Sequence, residues 1–330
     1  MKTFKIFVTR RIPQNGLDLL TKRKNFEVEV YPKNKKISRW GLLQKVQGCD
    51  AVLSLLTDTI DAKLLDVAGK NLKIISNYAV GFDNVDLKAA KKRNIIITNT
   101  PAPSISESVA EHAIALIFGL AHRIPEADRF TRAGKYRGWS PTLLTGTDVI
   151  GKTLGVIGLG RIGKALVKRM RDGFGVNILY HDIARDQVFK AESSARFVPM
   201  KTLLQKSDFI SLHVPLTKNT HHLISTKELK LMKPTAFLIN TSRGPVVDEF
   251  ALVKALEKKE IGGAGLDVYE CEPFIDCNPR DTHSLRKLDN VILTPHTASA
   301  TKEAREAMAD IAARNIITVL SGKPPVTPAG

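Results

Sequence analysis

Short apolar runs alternate with amphipathic stretches along most of the chain. "KIFVT" (Lys5 to Thr9), "FEVEVY" (Phe26 to Tyr31), "AVLSLL" (Ala51 to Leu56), "LKIISN" (Leu72 to Asn77) and "NIIITNT" (Asn94 to Thr100) read as strands. Between them, "DAKLLDVAG" (Asp61 to Gly69) and "VDLKAAKKR" (Val85 to Arg93) place apolar residues at helical spacing. A second series supplies "TLGVIG" (Thr153 to Gly158), "NILYHD" (Asn177 to Asp182), "DFISLHV" (Asp208 to Val214), "AFLINT" (Ala236 to Thr241), "GAGLDV" (Gly263 to Val268) and "NVILTP" (Asn290 to Pro295). Strand–helix alternation predicts parallel sheets with helices on both faces. The expected fold class is therefore α/β, with two doubly wound parallel-sheet domains.

The series are joined by Pro103 to Gly134, in which Ser104 and Glu107 can form a capping box. Its apolar run, Ala113 to Ala121, is too short for a membrane span. A helix apolar nearly all round must be buried between bodies. The run is expected to join the domains and to serve as a subunit interface. Lys302 to Gly322 reads as one long amphipathic helix.

Composition narrows the class. The 330 residues are 43% hydrophobic and 25% charged, an ordinary globular balance with enough chain for two cores. The net charge of +17 raises nucleic acid as a partner, but the lysines fall in short scattered clusters such as Lys33 to Lys36, with no basic tail or aromatic-interleaved stripe. Solvated helix faces are the plain reading, and a field that attracts a small anionic substrate is the second. The N-terminal "MKTFKIFVTR" lacks the apolar core and cleavage site of a signal peptide. Cys49, Cys271 and Cys277 form no known framework, which suits a reducing cytoplasm. Cys271, Cys277 and His283 match no standard metal spacing, so no metal is expected.

"LGVIGLGRIGKAL" (Leu154 to Leu166) carries the strongest local signal. Its GxGxxG follows a strand, opens a helix, and precedes an acidic strand end, Asp182, by roughly twenty residues. Gly158 permits the tight turn, Gly160 leaves room for a pyrophosphate, and Gly163 lets the helix pack on the sheet. The helix N-terminus offers N–H groups to the phosphates. Asp182 is expected to accept from the ribose hydroxyls and to repel a 2′-phosphate, favouring NADH over NADPH; Arg185 lies close enough to oppose that preference. A ligand-free structural turn and a flavin are the competing readings. Arg161 reads equally as a phosphate contact and as a solvated residue.

Arg243, Asp267, Glu272 and His296 lie at strand ends of the second series, where ligands of open α/β sheets collect. Beside a dinucleotide turn, this combination suggests hydride transfer on a carboxylate substrate.

The chain resembles the D-isomer-specific 2-hydroxyacid dehydrogenases over essentially its whole length. The resemblance rests on Gly151 to Gly163, "SDFISLHVPLT" (Ser207 to Thr217), "LINTSRGPVVDE" (Leu238 to Glu249), "GAGLDVYECEP" (Gly263 to Pro273) and "VILTPHTASAT" (Val291 to Thr301). Ser76 to Asp86 and Gly138 to Gly155 are most similar to the glyoxylate/hydroxypyruvate reductase branch. Ala298 stands where many members have glycine.

The resemblance implies a flavodoxin-like substrate domain, 1–103 with 297–330, and a Rossmann NAD-binding domain, 104–296. It implies His296 as acid/base, Glu272 as its partner and Arg243 as the carboxylate clamp. Leu56 and the backbone N–H groups of Val80 and Gly81 complete the substrate site with Arg243 and His296. Ile162, His213, Val214, Pro215, Thr217, Thr241, Asp267 and His296 join the glycines, Arg161 and Asp182 around the cofactor, with Asp267 accepting from the nicotinamide carboxamide. It further implies a cytoplasmic homodimer acting on a small 2-oxoacid, with no nucleic acid or membrane partner. D-Lactate and 3-phosphoglycerate dehydrogenases are the rival activities, and an NADH-sensing corepressor-like binding protein is the rival class.

Overall fold

The computed structural model describes residues 2–189, 194–272 and 284–329. The chain divides into two compact units, Met1–Ile105 with Ala300–Gly330, and Ser106–Ser299.

The first unit holds five parallel strands, β1 (Phe4–Val8), β2 (Phe26–Val30), β3 (Ala51–Leu55), β4 (Ile74–Tyr78) and β5 (Ile96–Thr98), in the order β2-β1-β3-β4-β5. β4 is buried along its whole length, as expected for a strand covered on both faces. Phe7, Val52 and Ile75 meet Leu42, Leu64, Leu65 and Ala89 from helices α2 (Arg39–Lys45), α3 (Ala62–Ala68) and α4 (Leu87–Lys92). Ser38, Asp61 and Asp86 cap these helices through their side chains. The distant helix Lys302–Leu320 completes the other face. It packs on α1 (Gln14–Thr21) and β4, and its Arg305 and Ala312 carbonyls accept from Tyr78 Oη (2.8 Å) and Ser76 Oγ (3.0 Å).

The second unit is a seven-stranded parallel sheet, in the order β12-β11-β10-β9-β6-β7-β8. Its strands are β6 (Thr153–Ile157), β7 (Asn177–His181), β8 (Arg196–Phe197), β9 (Phe209–Leu212), β10 (Phe237–Asn240), β11 (Gly263–Leu266) and β12 (Val291–Leu293). One apolar cluster joins Leu203, Ile210, Leu238 and Leu252. Another joins Ala113, Ile117, Leu154, Leu166, Phe209 and Ile239.

Two expectations about the joining segment change. Helix α5 runs Pro103–Ala121, so Ser104 lies within its first turn rather than capping it; proline's fixed φ suits the start of a helix. By length and composition α5 is long and apolar enough to cross a membrane. The expectation that the apolar run is too short leaves out its flanking polar turn. The helix spends its apolarity on its own unit: Ala110, Ala113, Leu116, Ile117 and Ala121 are buried in the core of residues 106–299. In the same run Ile114 and Phe118 are half-buried and Ala115 is exposed. Helix α6 (Ile124–Arg132) follows directly.

Candidate active site

In the second unit the sheet order reverses between β6 and β9, the place where such sheets bind ligands. β6 leads into Gly158, at φ +92°. A Cβ there would lie 2.6 Å from the His213 carbonyl oxygen, and one at Gly163 would lie 2.3 Å from the Gly158 carbonyl oxygen. Only glycine lets β6, β9 and helix α7 (Arg161–Phe174) approach this closely. A Cβ at Gly160 would meet nothing within 4 Å. Gly160 caps α7 without a side-chain hydrogen bond, which leaves the first-turn N–H groups for a ligand. Arg161 is exposed and Ile162 half-buried.

Asp182 follows β7. Its carboxylate accepts from the N–H groups of Leu159 (2.6 Å) and Ile183 (2.7 Å), tying the glycine turn to the β7 exit. The Arg185 guanidinium sits 4.9 Å from the Phe197 ring centroid, a cation–π contact.

Two orphaned polar atoms lie at the neighbouring exits. His213 Nε2 pairs with Ser211 Oγ at 2.8 Å, while its Nδ1, like Thr241 Oγ1, is buried without a partner. Burial pushes the His213 imidazole down to about 4, so it is neutral at physiological pH. Beyond it, Val214 is half-buried and Pro215 and Thr217 are exposed; Thr217 N–H donates to Thr220 Oγ1 at 2.8 Å. An open cradle at Gly160 and unpaired polar atoms at His213 and Thr241 fit a dinucleotide.

The reacting groups follow β10, β11 and β12, adjacent strands of the sheet. His296 has φ +54°, a left-handed backbone unusual for a residue with a Cβ. Its Nδ1 lies 2.8 Å from Glu272 Oε2, and the two side chains are 29% and 31% exposed. Glu272 Oε1 accepts from Tyr269 N–H at 3.1 Å. Arg243 is half-buried and donates through Nη1 to the Ser242 carbonyl at 2.8 Å. The next residue, Gly244, touches the other loop: its Cβ would fall 1.9 Å from the Tyr269 carbonyl oxygen. The loops bearing Arg243 and Glu272 are thus packed backbone against backbone.

Asp267 brackets His296. Its carbonyl accepts from His296 N–H at 2.9 Å, and its carboxylate accepts from Thr297 N–H, Ala298 N–H (both 2.8 Å) and Thr294 Oγ1 (2.6 Å). A left-handed residue costs about 1–2 kcal/mol, and a hydrogen bond to a charged group returns about 1.5–3 kcal/mol, so this anchoring outweighs the strain. Asp267 is fully buried, with no face open to a carboxamide in this conformation. His112 Nε2 stands 3.0 Å from Thr294 Oγ1 and 3.5 Å from Asp267 Oδ1, and the Ala298 carbonyl accepts from Ser108 at 2.8 Å. Sequence reading missed His112, Ser108 and Tyr269; a histidine inside the apolar run of α5 was the available signal.

The first unit places the remaining predicted residues at its own strand exits. Leu56 follows β3 and Val80 and Gly81 follow β4. The Val80 and Gly81 carbonyls accept from Asn99 Nδ2 (2.7 Å) and Asn77 Nδ2 (3.1 Å). Neither residue's N–H donates to a protein acceptor among the described residues.

Of the cysteines, Cys49 is a buried thiol, pushed up to about 11 chiefly by burial. Cys271 is disulfide-bonded; Cys277 and His283 lie outside the described residues. Among the described residues, His221, His222 and Glu270 bring three possible metal-ligand atoms within 4.8 Å of one another, but His222 and Glu270 already pair at 2.7 Å.

Comparison with known proteins agrees with this geometry. The family described as D-isomer specific 2-hydroxyacid dehydrogenase, NAD binding domain, matches residues 114–298, and the chain belongs to that family. It is an oxidoreductase with a nicotinamide cofactor, from a family that acts on small 2-hydroxyacids. Among its relatives, a glyoxylate reductase of Thermococcus litoralis is 49% identical over 97% of this chain and 95% of its own length. The crystal structure of the TT0316 protein from Thermus thermophilus superposes with a TM-score of 0.91 at 39% identity, covering 99% and 100% of the two chains. An NADPH-dependent glyoxylate/hydroxypyruvate reductase from Sinorhizobium meliloti, in complex with citrate, gives 0.83 at 30% identity, covering 99% and 98%.

Proposed function

We propose that the protein reduces glyoxylate and hydroxypyruvate to glycolate and D-glycerate, with NADH preferred to NADPH. The observation that carries this reading is the His296–Glu272 pair at 2.8 Å, which bridges the β12 and β11 exits beside the β10 exit of Arg243. The glycine turn would hold the pyrophosphate of a dinucleotide, whose reduced nicotinamide would supply the hydride. His296 holds the proton for the oxygen at C2. Glu272, fixed by Tyr269 N–H, accepts from Nδ1–H and orients the ring. Arg243 offers its planar fork to the substrate carboxylate. The first unit acts as the substrate domain: the unengaged N–H groups of Val80 and Gly81 take the carboxylate, and Leu56 borders the site. Arg161, Ile162, His213, Val214, Pro215, Thr217 and Thr241 surround the cofactor. The family resemblance suggests Asp267 for the carboxamide; its filled hydrogen bonds favour a role in holding the His296 turn.

The NADH preference rests on the fixed carboxylate of Asp182. The named NADPH dependence of the S. meliloti neighbour supports the second reading, in which Arg185 leaves Phe197 to meet a 2′-phosphate. The protein is proposed to be a cytoplasmic homodimer. Helix α6 buries none of its residues, and the following segment exposes Tyr136 and Trp139, the latter 83% exposed; this surface is the proposed contact between copies.

The test follows NADH and NADPH consumption with glyoxylate, hydroxypyruvate, pyruvate and 3-phosphohydroxypyruvate. NADH-linked turnover of the first two is expected. Turnover of only the last two moves the substrate assignment, and NADH binding with no turnover favours the sensor class.

A further inference from the structure

His221 and His222 hold their rings together, with centroids 4.1 Å apart and a tilt of 33°. His222 has φ +50°, a left-handed backbone that persists in a residue with a Cβ only where its surroundings fix it. Here two backbone bonds do so. His221 N–H donates to the Thr217 carbonyl at 3.0 Å, and His222 N–H donates to the Pro245 carbonyl at 2.8 Å. Facing the rings is Glu270, 48 residues further along the chain, with Oε1 2.7 Å from His222 Nε2. A reciprocal clasp holds Glu270 in turn. Its Oε2 accepts from Glu249 N–H at 3.1 Å, and its N–H donates to Glu249 Oε2 at 3.0 Å. One ligand atom from each of His221, His222 and Glu270 lies within 4.8 Å of the other two. His221 is exposed and the other two are half-buried, so a dissolved ion can reach all three.

Two imidazoles and a carboxylate are a donor set suited to Zn²⁺ and its neighbours in the first transition row. We propose that His221, His222 and Glu270 form a binding site for such a divalent ion, Zn²⁺ above all, with water in the fourth position. Donors around a tetrahedral Zn²⁺ with bonds of about 2.0 Å stand about 3.3 Å apart. The His222–Glu270 pair therefore opens by about half an ångström to admit the ion. The hydrogen between them moves to Nδ1 as the neutral ring changes tautomer, which frees Nε2 as a ligand. His221, exposed, closes its part of the distance by side-chain rotation. The carboxylate brings the negative charge, and the Glu249 clasp on its second oxygen is the outer support that a ligating carboxylate uses. No spacing motif announces the site, because its third ligand comes from a distant loop. The bound ion ties the turn at 217–222 to the loop at 269–272, which carries Glu272.

The full chain, free of any affinity tag, is titrated with ZnCl₂ by isothermal calorimetry, alongside His221→Gln and Glu270→Gln. The wild type is expected to take up the ion saturably. Each variant is expected to lose affinity by about tenfold or more, since even outer-shell changes at metal sites cost that much. His221 is exposed, so His221→Gln should keep the Tm of the metal-free protein, and its loss of binding then reports a lost ligand rather than a lost fold. MgCl₂ is the control: Mg²⁺ takes oxygen donors in an octahedron and is expected to bind far more weakly. Absence of saturable Zn²⁺ uptake by the wild type overturns the site. So does full Zn²⁺ affinity in either variant, which would put the ion elsewhere, and so does equal affinity for Mg²⁺, which would remove the imidazoles from the donor set.

Discussion

The sheets of the two units share a plan, parallel strands with an order reversal, yet their carboxyl ends are furnished differently. The exits of the second unit carry ionisable groups held by backbone: Asp182 by two amides, Glu272 by one, and His296 in a left-handed turn bracketed by Asp267. The exits of the first unit carry one carboxylate, Asp58, spent on Thr9 and the Leu55 N–H, beside the neutral amides Asn77 and Asn84, two exposed apolar side chains and unengaged backbone N–H groups. All eight histidines of the chain fall within residues 106–299. One architecture thus supports two tasks, and the loops after the strands decide which. On the proposed reading, the second unit moves the proton and the first recognises the acid.

The sharpest way to break this contrast is His296→Gln. It keeps the side chain's bulk and removes its titrating ring, and kcat is expected to fall by roughly 10²–10⁴. A rate near wild type in stopped-flow reduction of hydroxypyruvate would place the proton donor elsewhere. Asp267→Asn comes next. The amide keeps one acceptor but turns an NH₂ toward Thr297 or Ala298 N–H, so the His296 turn loses about 1.5–3 kcal/mol of anchoring. We expect kcat to drop about tenfold or more while the NADH Kd stays within a few fold. A drop in NADH affinity alone would instead support the carboxamide role. The smallest effect concerns pH. His213 titrates lower when folded, about 4 against 6.5. The unfolded chain therefore binds the extra proton first, and stability present above pH 6.5 is lost as pH falls toward 4. The Tm of the wild type should fall more steeply than that of His213→Asn between pH 6.5 and 4.5; parallel curves would remove His213 from the acid response.

Much of this was legible in the sequence, for reasons that can be located. The strand cores were readable because buried parallel strands are continuous β-branched and aliphatic runs, and "AVLSL" and "TLGVI" fall where expected. The glycine turn was readable because two close backbone approaches, at Gly158 and Gly163, and an open cradle at Gly160 place glycines at fixed spacing. What escaped depends on distant partners. The two-residue strand Arg196–Phe197 exists only through its pairing with β7. The burial of α5 was legible from its apolarity, which says that a helix is buried but not against what. The ties of Asp267 to His112 and Ala298 span many residues, and no local pattern encodes them.

The return of Lys302–Leu320 to the first sheet carries a consequence for how the protein is made. β4 and β5 emerge long before the helix that covers them. At about 5–20 residues per second of synthesis, the roughly 200 intervening residues take about 10–40 s. Through that interval Ile74, Ser76 and Tyr78 await their covering face, while residues 106–299 already hold every strand and helix of their own fold. The nucleotide-binding half is thus able to mature first on the translating ribosome, and the other half is the one exposed to chaperones until its last helix arrives.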